Sequence, residues 1–251
     1  MTAILVTGAS SGLGEALALA YAAPGVRLFL SGRDGGRLAA VAEACRGKGA
    51  EAAGRVVDVA DRAAMDAWIA DCLQIAPLDL VIANAGISAG TGGAGGESAE
   101  QARAVFAVNL DGVLNTVLPV IETMRRRRRG QIVLMASLAG FRGFPSAPSY
   151  CASKAAVRVW GEGLRGWLAA DGVVVTVICP GFVRSRMTAR NDFPMPFLMT
   201  AEAAAARMKR GIDAGRARIA YPWPMALAVT LLSALPPDWT DRWLRRLPAK
   251  Q

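Results

Sequence analysis

The sequence predicts an α/β fold, a doubly wound parallel sheet in a single domain with helices on both faces. Short apolar runs with the continuous Val, Ile and Leu character of buried strands alternate with amphipathic stretches from the first residues onward. The chain has 251 residues, 53% hydrophobic and 20% charged, which fits one large domain with a sizeable core (1–251). No second core and no repeat of solenoid period breaks the alternation.

Strands are expected at Ala3 to Thr7, Val26 to Ser31, Gly54 to Val59, Leu78 to Asn84, Gln131 to Ser137 and Val173 to Cys179. Between them Gly12 to Ala23, Gly35 to Cys45, Arg62 to Ile75, Ser98 to Arg128 and Tyr150 to Ala170 carry apolar residues at helical spacing. The glycine-rich segment Gly86 to Gly96 lies between a strand and a helix and reads as a flexible loop, not a domain linker. From Phe182 the pattern loosens. Residues 182–214 read as a substrate loop or lid with a helix from about Thr200 to Ala214, and residues 215–251 as an apolar tail of the same domain.

That tail contains Ile219 to Pro237, the most hydrophobic part of the chain. Pro224 and Pro236 bracket only 11 residues, short of the roughly 20 a spanning helix needs. Core, subunit interface and interfacial membrane segment are three readings of it, and the following DRWLRRLPAK suits the last.

Composition excludes several chemistries. With no histidine there is no Ser-His-Asp or Cys-His nucleophilic site, no His-liganded metal and no imidazole switch. Proton transfer falls to Tyr, Lys, carboxylates or water. Cys45, Cys72, Cys151 and Cys179 are scattered without CxxC spacing, and no signal peptide precedes the first apolar run, so no metal and a reducing cytoplasm are expected. Of the formal charge of +9, five positive charges sit in Arg125 to Arg129, leaving +4 elsewhere. The run precedes Gly130 and a strand, so it reads as a helix C-terminus meeting the negative end of the macrodipole. It has no interleaved aromatics, and no nucleic-acid partner is expected.

Ligands of such sheets bind beyond the C-terminal ends of the strands, so the residues following each run matter most. The first is followed by Thr7-Gly8-Ala9-Ser10-Ser11-Gly12-Leu13-Gly14. Three glycines at a strand-to-helix turn let backbone approach a pyrophosphate, whose charge falls on the free amides of the helix N-terminus. The spacing is GxxxGxG, not the generic GxGxxG.

From Ala3 to Ser185 the chain resembles the short-chain dehydrogenase/reductase family in its single-domain, Rossmann-like form. TGASSGLG matches the family's TGxxxGxG motif, which implies cofactor contacts from Gly8, Ser10, Ser11, Gly12, Leu13 and Gly14. Asp58 and Val59 match its adenine-contacting pair, and Asn84-Ala85-Gly86 its NAG motif. Asn109 falls at its active-site Asn, while Ser137, Tyr150 and Lys154 match its Ser and YxxxK. Pro180-Gly181 matches its PG motif, with Val183 and Ser185 in the PGxVxT stretch, where Ser185 replaces the usual Thr and loses a methyl.

The residue chemistry agrees. Tyr150 and Lys154 are four apart on one helical face, so the ammonium is expected to lower the phenol's ordinary pKa of about 10. Ser137 would hold a substrate oxygen against Tyr150, which passes it a proton as hydride reaches the carbonyl carbon. The resemblance implies that Tyr150 and Lys154 also contact cofactor, that Lys154 holds ribose hydroxyls, and that Asn109 keeps a water relaying protons to it.

At the end of the second strand, Ser31 is expected where a 2′-hydroxyl-binding carboxylate would stand, with Arg33 two residues on to meet a 2′-phosphate. NADP(H) is therefore expected in preference to NAD(H), with Asp34 either a helix N-cap or an ion-pair partner of Arg33.

The expected activity is reversible reduction of an apolar ketone or aldehyde, a small-molecule carbonyl/alcohol substrate. The alternatives are reduction of a carrier-bound 3-oxoacyl group, which would want a basic patch at the site's mouth, and a non-enzymatic dinucleotide sensor. The family's members are commonly homodimers or homotetramers, and peripheral membrane contact through the tail is the less favoured reading.

Overall fold

The computed structural model describes residues 1–88 and 96–244. Most of the expected Gly86 to Gly96 loop, and the end of the tail, lie outside the described residues. Seven strands form one sheet, β1 (Thr2–Val6), β2 (Val26–Gly32), β3 (Glu51–Val56), β4 (Leu80–Ala83), β5 (Gly130–Met135), β6 (Val173–Pro180) and β7 (Arg218–Tyr221). Every pair is parallel, in the order β3-β2-β1-β4-β5-β6-β7. Val6 of β1 stands beside Leu30 of β2 and Ile82 of β4. Strand order reverses at β1, so the connections after β1 and β4 leave on opposite faces and open a crevice at the strands' C-terminal ends.

Alternation along β1 divides the core. Ile4 and Val6 join a cluster with Leu17 of α1 (Gly12–Tyr21), Leu38 of α2 (Gly35–Arg46) and Met208 of α7 (Ala201–Asp213). Ala3 and Leu5 face a second cluster holding Ile69 of α3 (Arg62–Ile75), Val117 of α5 (Gly112–Arg127) and Leu164 of α6 (Pro148–Leu168). Side chains cap several helix starts. Arg37 N–H donates to Asp34 at 2.9 Å, Ala64 N–H to Asp61 at 3.0 Å and Ala203 N–H to Thr200 at 3.2 Å. Ser98 and Gln101 form a capping box at α4 (Ala99–Phe106).

Four expectations change. The third strand ends at Val56, which leaves Asp58 and Val59 in the turn beyond it. The single helix expected from Ser98 to Arg128 is divided into α4 and α5 by a π-helical turn, Ala107–Asp111, containing Asn109. Residues 201–213 of the expected lid form α7, whose Ala204, Ala205, Met208 and Ile212 are buried in the core, so only the connection 182–199 remains a candidate lid. Its base is closed where Arg184 N–H donates to Met199 O at 2.8 Å and Met199 N–H to Phe182 O at 3.1 Å. Finally, Ile219 to Tyr221 in the supposed tail is β7, pairing with β6 and burying Tyr221 completely. Beyond it come α8 (Trp223–Ala234) and α9 (Pro237–Leu244).

The arginine run does end a helix. Arg128 adopts a left-handed conformation (φ 51°) as the C-cap of α5. Arg125 donates to Asp171 at 2.6 Å, and Arg127 to Asp79 at 3.1 Å and to the Leu78 carbonyl at 3.0 Å. These contacts lie where β4 and β5 begin, at the opposite edge of the sheet from the crevice.

Candidate active site

The glycine turn is shaped by its neighbour strand. Asn84 and Ala85 N–H both donate to Thr7 Oγ1 at 3.1 Å, and Asn84 Nδ2 donates to the Thr7 carbonyl at 2.9 Å and the Gly8 carbonyl at 3.3 Å. Gly8 and Gly12 have φ of 66° and 61°, a region that favours glycine. At Gly14 a Cβ would come 2.2 Å from the Gly8 carbonyl oxygen, so the turn closes only around glycine. Helix α1, unlike α2 and α3, has no side-chain cap at its Ser11 N-cap, and its first turn opens on the crevice.

The crevice is a cleft of about 580 Å³. Gly8, Ser10, Ser11, Gly12, Leu13, Arg33, Asp58, Val59, Asn84, Ala85 and Gly86 line one part of it. Ser137, Tyr150, Lys154, Pro180, Gly181, Val183 and Ser185 line the rest. Gly14 and Asn109 stand behind this wall. Gly14 packs on Gly8 and Asn84, while Asn109 is fully buried, receiving Ile87 N–H at 2.8 Å and donating to the Ile87 carbonyl at 2.9 Å and to Ser153 Oγ at 3.1 Å. A Cβ on Gly86 would meet Asn109 Oδ1 at 3.2 Å and Lys154 Nζ at 3.3 Å, so glycine there lets the three segments converge.

At the end of β2 the sequence expectation shifts by one residue. Ser31 is fully buried, and Gly32 is the one that reaches the cleft. A Cβ on Gly32 would stand 2.8 Å from Ser10 Oγ, so a carboxylate there would displace Ser10. Asp34 serves as the α2 N-cap and pairs with Arg37 at 2.9 Å, while Arg33 faces Asp58 at 3.9 Å. Arg37 also lines the cleft, a second cation that sequence reasoning missed, although it lies four residues beyond Arg33.

At the other end, Ser137 follows β5 and Tyr150 and Lys154 share a face of α6. Ala139 N–H donates to Ser137 Oγ at 3.1 Å. Lys154 is buried with Nζ donating to the Met135 carbonyl at 2.8 Å, 5.9 Å from the centre of the Tyr150 ring. Burial brings its pKa down from 10.5 to about 8, opposed by the nearby Cys179. Burial also pushes the Tyr150 phenol up, against a hydrogen bond with Ser137 that lowers it and the neighbouring Cys151 that adds to the rise. The phenol is therefore raised, not lowered as the spacing to Lys154 predicts: desolvation dominates, and the opposing contribution comes from Ser137.

Glu97 is a further residue that sequence reasoning missed. Helix α6 has no side-chain cap of its own at Ala147, and Glu97 Oε2 instead accepts from Ser149 N–H at 3.1 Å and from Ser149 Oγ, immediately before Tyr150. With the partners 52 positions apart, no local pattern marks it. Thr188, also missed, lines the cleft and accepts from Ser185 N–H at 2.9 Å, so the departure from Thr at position 185 leaves two hydroxyls side by side.

The family model for short chain dehydrogenase matches residues 2–193. An uncharacterised oxidoreductase of Myxococcus xanthus is 41% identical over 97% of this chain and 96% of its own. A Streptomyces virginiae protein provisionally assigned as the ketoacyl reductase of the monensin polyketide synthase is 35% identical over 84% of this chain and 83% of its own. The crystal structure of a short chain dehydrogenase/reductase from Burkholderia phymatum in complex with NAD aligns with a TM-score of 0.82 and 28% identity, covering 100% of this chain and 97% of that one. A parallel sheet with its switch point at β1, a glycine turn pinned by Asn84, and Ser137, Tyr150 and Lys154 across the cleft agree with these matches, and the chain belongs to the short chain dehydrogenase family of oxidoreductases.

Proposed function

We propose that the protein is an NADP(H)-dependent oxidoreductase that reduces an apolar ketone or aldehyde and, in reverse, oxidises the alcohol. The observation that carries this reading is a single cleft bounded by Arg33 and Arg37 at one end and by Ser137, Tyr150 and Lys154 at the other. The glycine turn and the uncapped first turn of α1 fit a pyrophosphate, and the two arginines beside Gly32 fit a 2′-phosphate better than a ribose hydroxyl. Asp58 and Val59 would border the adenine, and Pro180, Gly181, Val183 and Ser185 the nicotinamide end. When bound, the nicotinamide supplies or accepts the hydride, and its oxidised form favours phenolate at Tyr150.

This chain's own residues handle the proton. Tyr150 donates it to the substrate's carbonyl oxygen as hydride reaches the carbon, and Ser137, oriented by Ala139 N–H, holds that oxygen. Lys154, with its pKa near 8, is suited to return a proton to Tyr150 at neutral pH. Asn109 fixes the wall behind Lys154 through Ile87 and Ser153. From the strap 182–199, Met187 lines the cleft between Arg186 and Thr188 and offers an apolar substrate a contact, while Phe182 and Phe193 pack on each other at 6.0 Å.

Likeness to the Streptomyces protein supports a second reading, a carrier-bound 3-oxoacyl substrate. The Arg125 to Arg129 run lies on the wrong edge of the sheet to dock a carrier at the cleft. Four buried cysteines, none in a disulfide, accord with a reducing cytoplasm. The exposed Leu118, Val159 and Trp167 on α5 and α6 accord with a homodimer or homotetramer.

The test follows NADPH absorbance across ketones, aldehydes and acyl-carrier mimics with the natural chain and Tyr150→Phe. The variant is expected to lose about 10²- to 10⁴-fold in rate. Full activity in the variant refutes the mechanism, and tight NADPH binding without turnover of any compound favours the sensor.

A further inference from the structure

The end of the described chain carries an apolar face that the fold does not use. None of the 12 residues of α8 is buried. One side, through Met225, Ala226 and Val229, leans on the core. On the other, Trp223, Leu227, Leu231 and Leu235 recur every four residues at 70%, 52%, 62% and 42% exposure. Helix α9 adds Trp239 and Trp243, at 74% and 71% exposure. Arg142 fixes the junction, donating to the Leu235 carbonyl at 3.0 Å and to Thr240 Oγ1. A hollow of about 490 Å³ lies between the two helices.

The sequence that carries and follows this face is unequal in charge. From Ile219 to Pro237 the sequence has no charged residue; Asp238 and Asp241 follow, against Arg242, Arg245, Arg246 and Lys250, in a chain whose formal charge is already +9. A twofold pair would bring this segment, with two acidic and four basic residues from Asp238 to Lys250, against its own copy, so net like charge would face net like charge. An anionic bilayer meets both features, because Trp favours the headgroup level and each basic residue near such a surface adds attraction. At 12 residues α8 is about 18 Å long, too short to cross a hydrocarbon core of about 30 Å, so it would lie in the interface. The one longer apolar helical stretch among the described residues, Ala99–Arg127, is 50% buried over its most apolar window and belongs to the core.

We propose that the α8–α9 face is a docking surface for an anionic phospholipid bilayer. It begins at the rim of the catalytic cleft, where Gly181 N–H donates to the Tyr221 carbonyl at 2.7 Å two residues before α8. Docking would therefore bring the cleft close to the headgroups.

The test is co-sedimentation of the intact protein with vesicles of phosphatidylcholine alone and mixed with phosphatidylglycerol, beside the variant Leu227→Ser/Leu231→Ser/Trp243→Ser. The natural chain is expected to partition onto the mixed vesicles at least about tenfold better than onto neutral ones, and the variant to lose at least about tenfold. Quenching of tryptophan fluorescence by bromine-labelled acyl chains in the natural chain gives a readout independent of how the variant folds. Absence of partition or quenching, or equal partition by a folded variant, overturns the proposal. Loss of self-association in the variant, with no vesicle binding by the natural chain, assigns the face to a second copy and overturns it as well. None of these outcomes depends on the catalytic reading.

Discussion

Replacing Lys154 by methionine is expected to stabilise the fold while removing the activity proposed for it. Lys154 is 4% exposed, and burial lowers its pKa from 10.5 to about 8, only partly opposed by Cys179. At 1.36 kcal/mol per tenfold change in proton affinity, that drop means the charged form costs the folded state about 3 kcal/mol. The ammonium also donates to the buried Met135 carbonyl at 2.8 Å, and losing that charged bond costs about 1.5 to 3 kcal/mol, so methionine should gain about 1 kcal/mol at neutral pH. For a chain of this length the gain raises Tm by about 2 to 4 °C.

The sign of the pH dependence follows from linkage. Below pH 8 the lysine is protonated in both states and the penalty is present in full. Between about 8 and 10.5 the folded protein releases the proton that the unfolded chain still holds, so the natural chain gains stability as pH rises and the variant's advantage shrinks. Urea unfolding of both proteins from pH 7 to 10 measures the difference, and titrations common to both cancel. A variant less stable than the natural chain at pH 7, by an amount that does not change with pH, would refute the reasoning.

Other substitutions probe the rest of the cleft. Arg33→Ala, and likewise Arg37→Ala, should weaken NADPH binding by about 1.5 to 3 kcal/mol and leave NADH little changed; equal losses for both cofactors in titration calorimetry would remove the 2′-phosphate assignment. Gly14→Ala forces a Cβ to 2.2 Å from the Gly8 carbonyl oxygen, so thermal unfolding should show a loss of about 2 kcal/mol or more, together with lost dinucleotide binding. Glu97→Ala strips the cap from α6 beside Tyr150; it should cost about 1 to 2 kcal/mol and lower kcat more than it changes the cofactor Kd, whereas Glu97→Gln keeps an acceptor and should restore most of both.

The glycine turn was legible because its chemistry is local: a strand, a turn that only glycine can make, and a helix, within one short segment. Tyr150 and Lys154 were legible for the same reason, being one helical turn apart. The errors occurred where tertiary structure decides. Ser31 and Gly32 were exchanged because neighbouring strand residues face opposite sides and nothing in the sequence sets the parity. The π-turn at Asn109 is a register change inside an otherwise regular apolar pattern. Strand β7 went unread because Ile219 to Tyr221 runs without a break in hydrophobicity into α8, and only pairing with β6 separates them. The shift of Tyr150 was missed because spacing reveals the lysine but not the desolvation.

The bonds from Asn84 and Ala85 to Thr7 and Gly8 have a consequence for affinity. They hold the glycine turn in shape from the adjacent strand, so a dinucleotide bound as proposed would meet a turn that is already ordered. Each backbone residue fixed in advance spares association about 1 to 2 kcal/mol of conformational entropy. Asn84, whose side-chain amide is turned toward the turn's carbonyls, would thus strengthen cofactor binding by restricting the free protein, and its removal should appear first as a loosened, faster-exchanging turn in the unliganded chain.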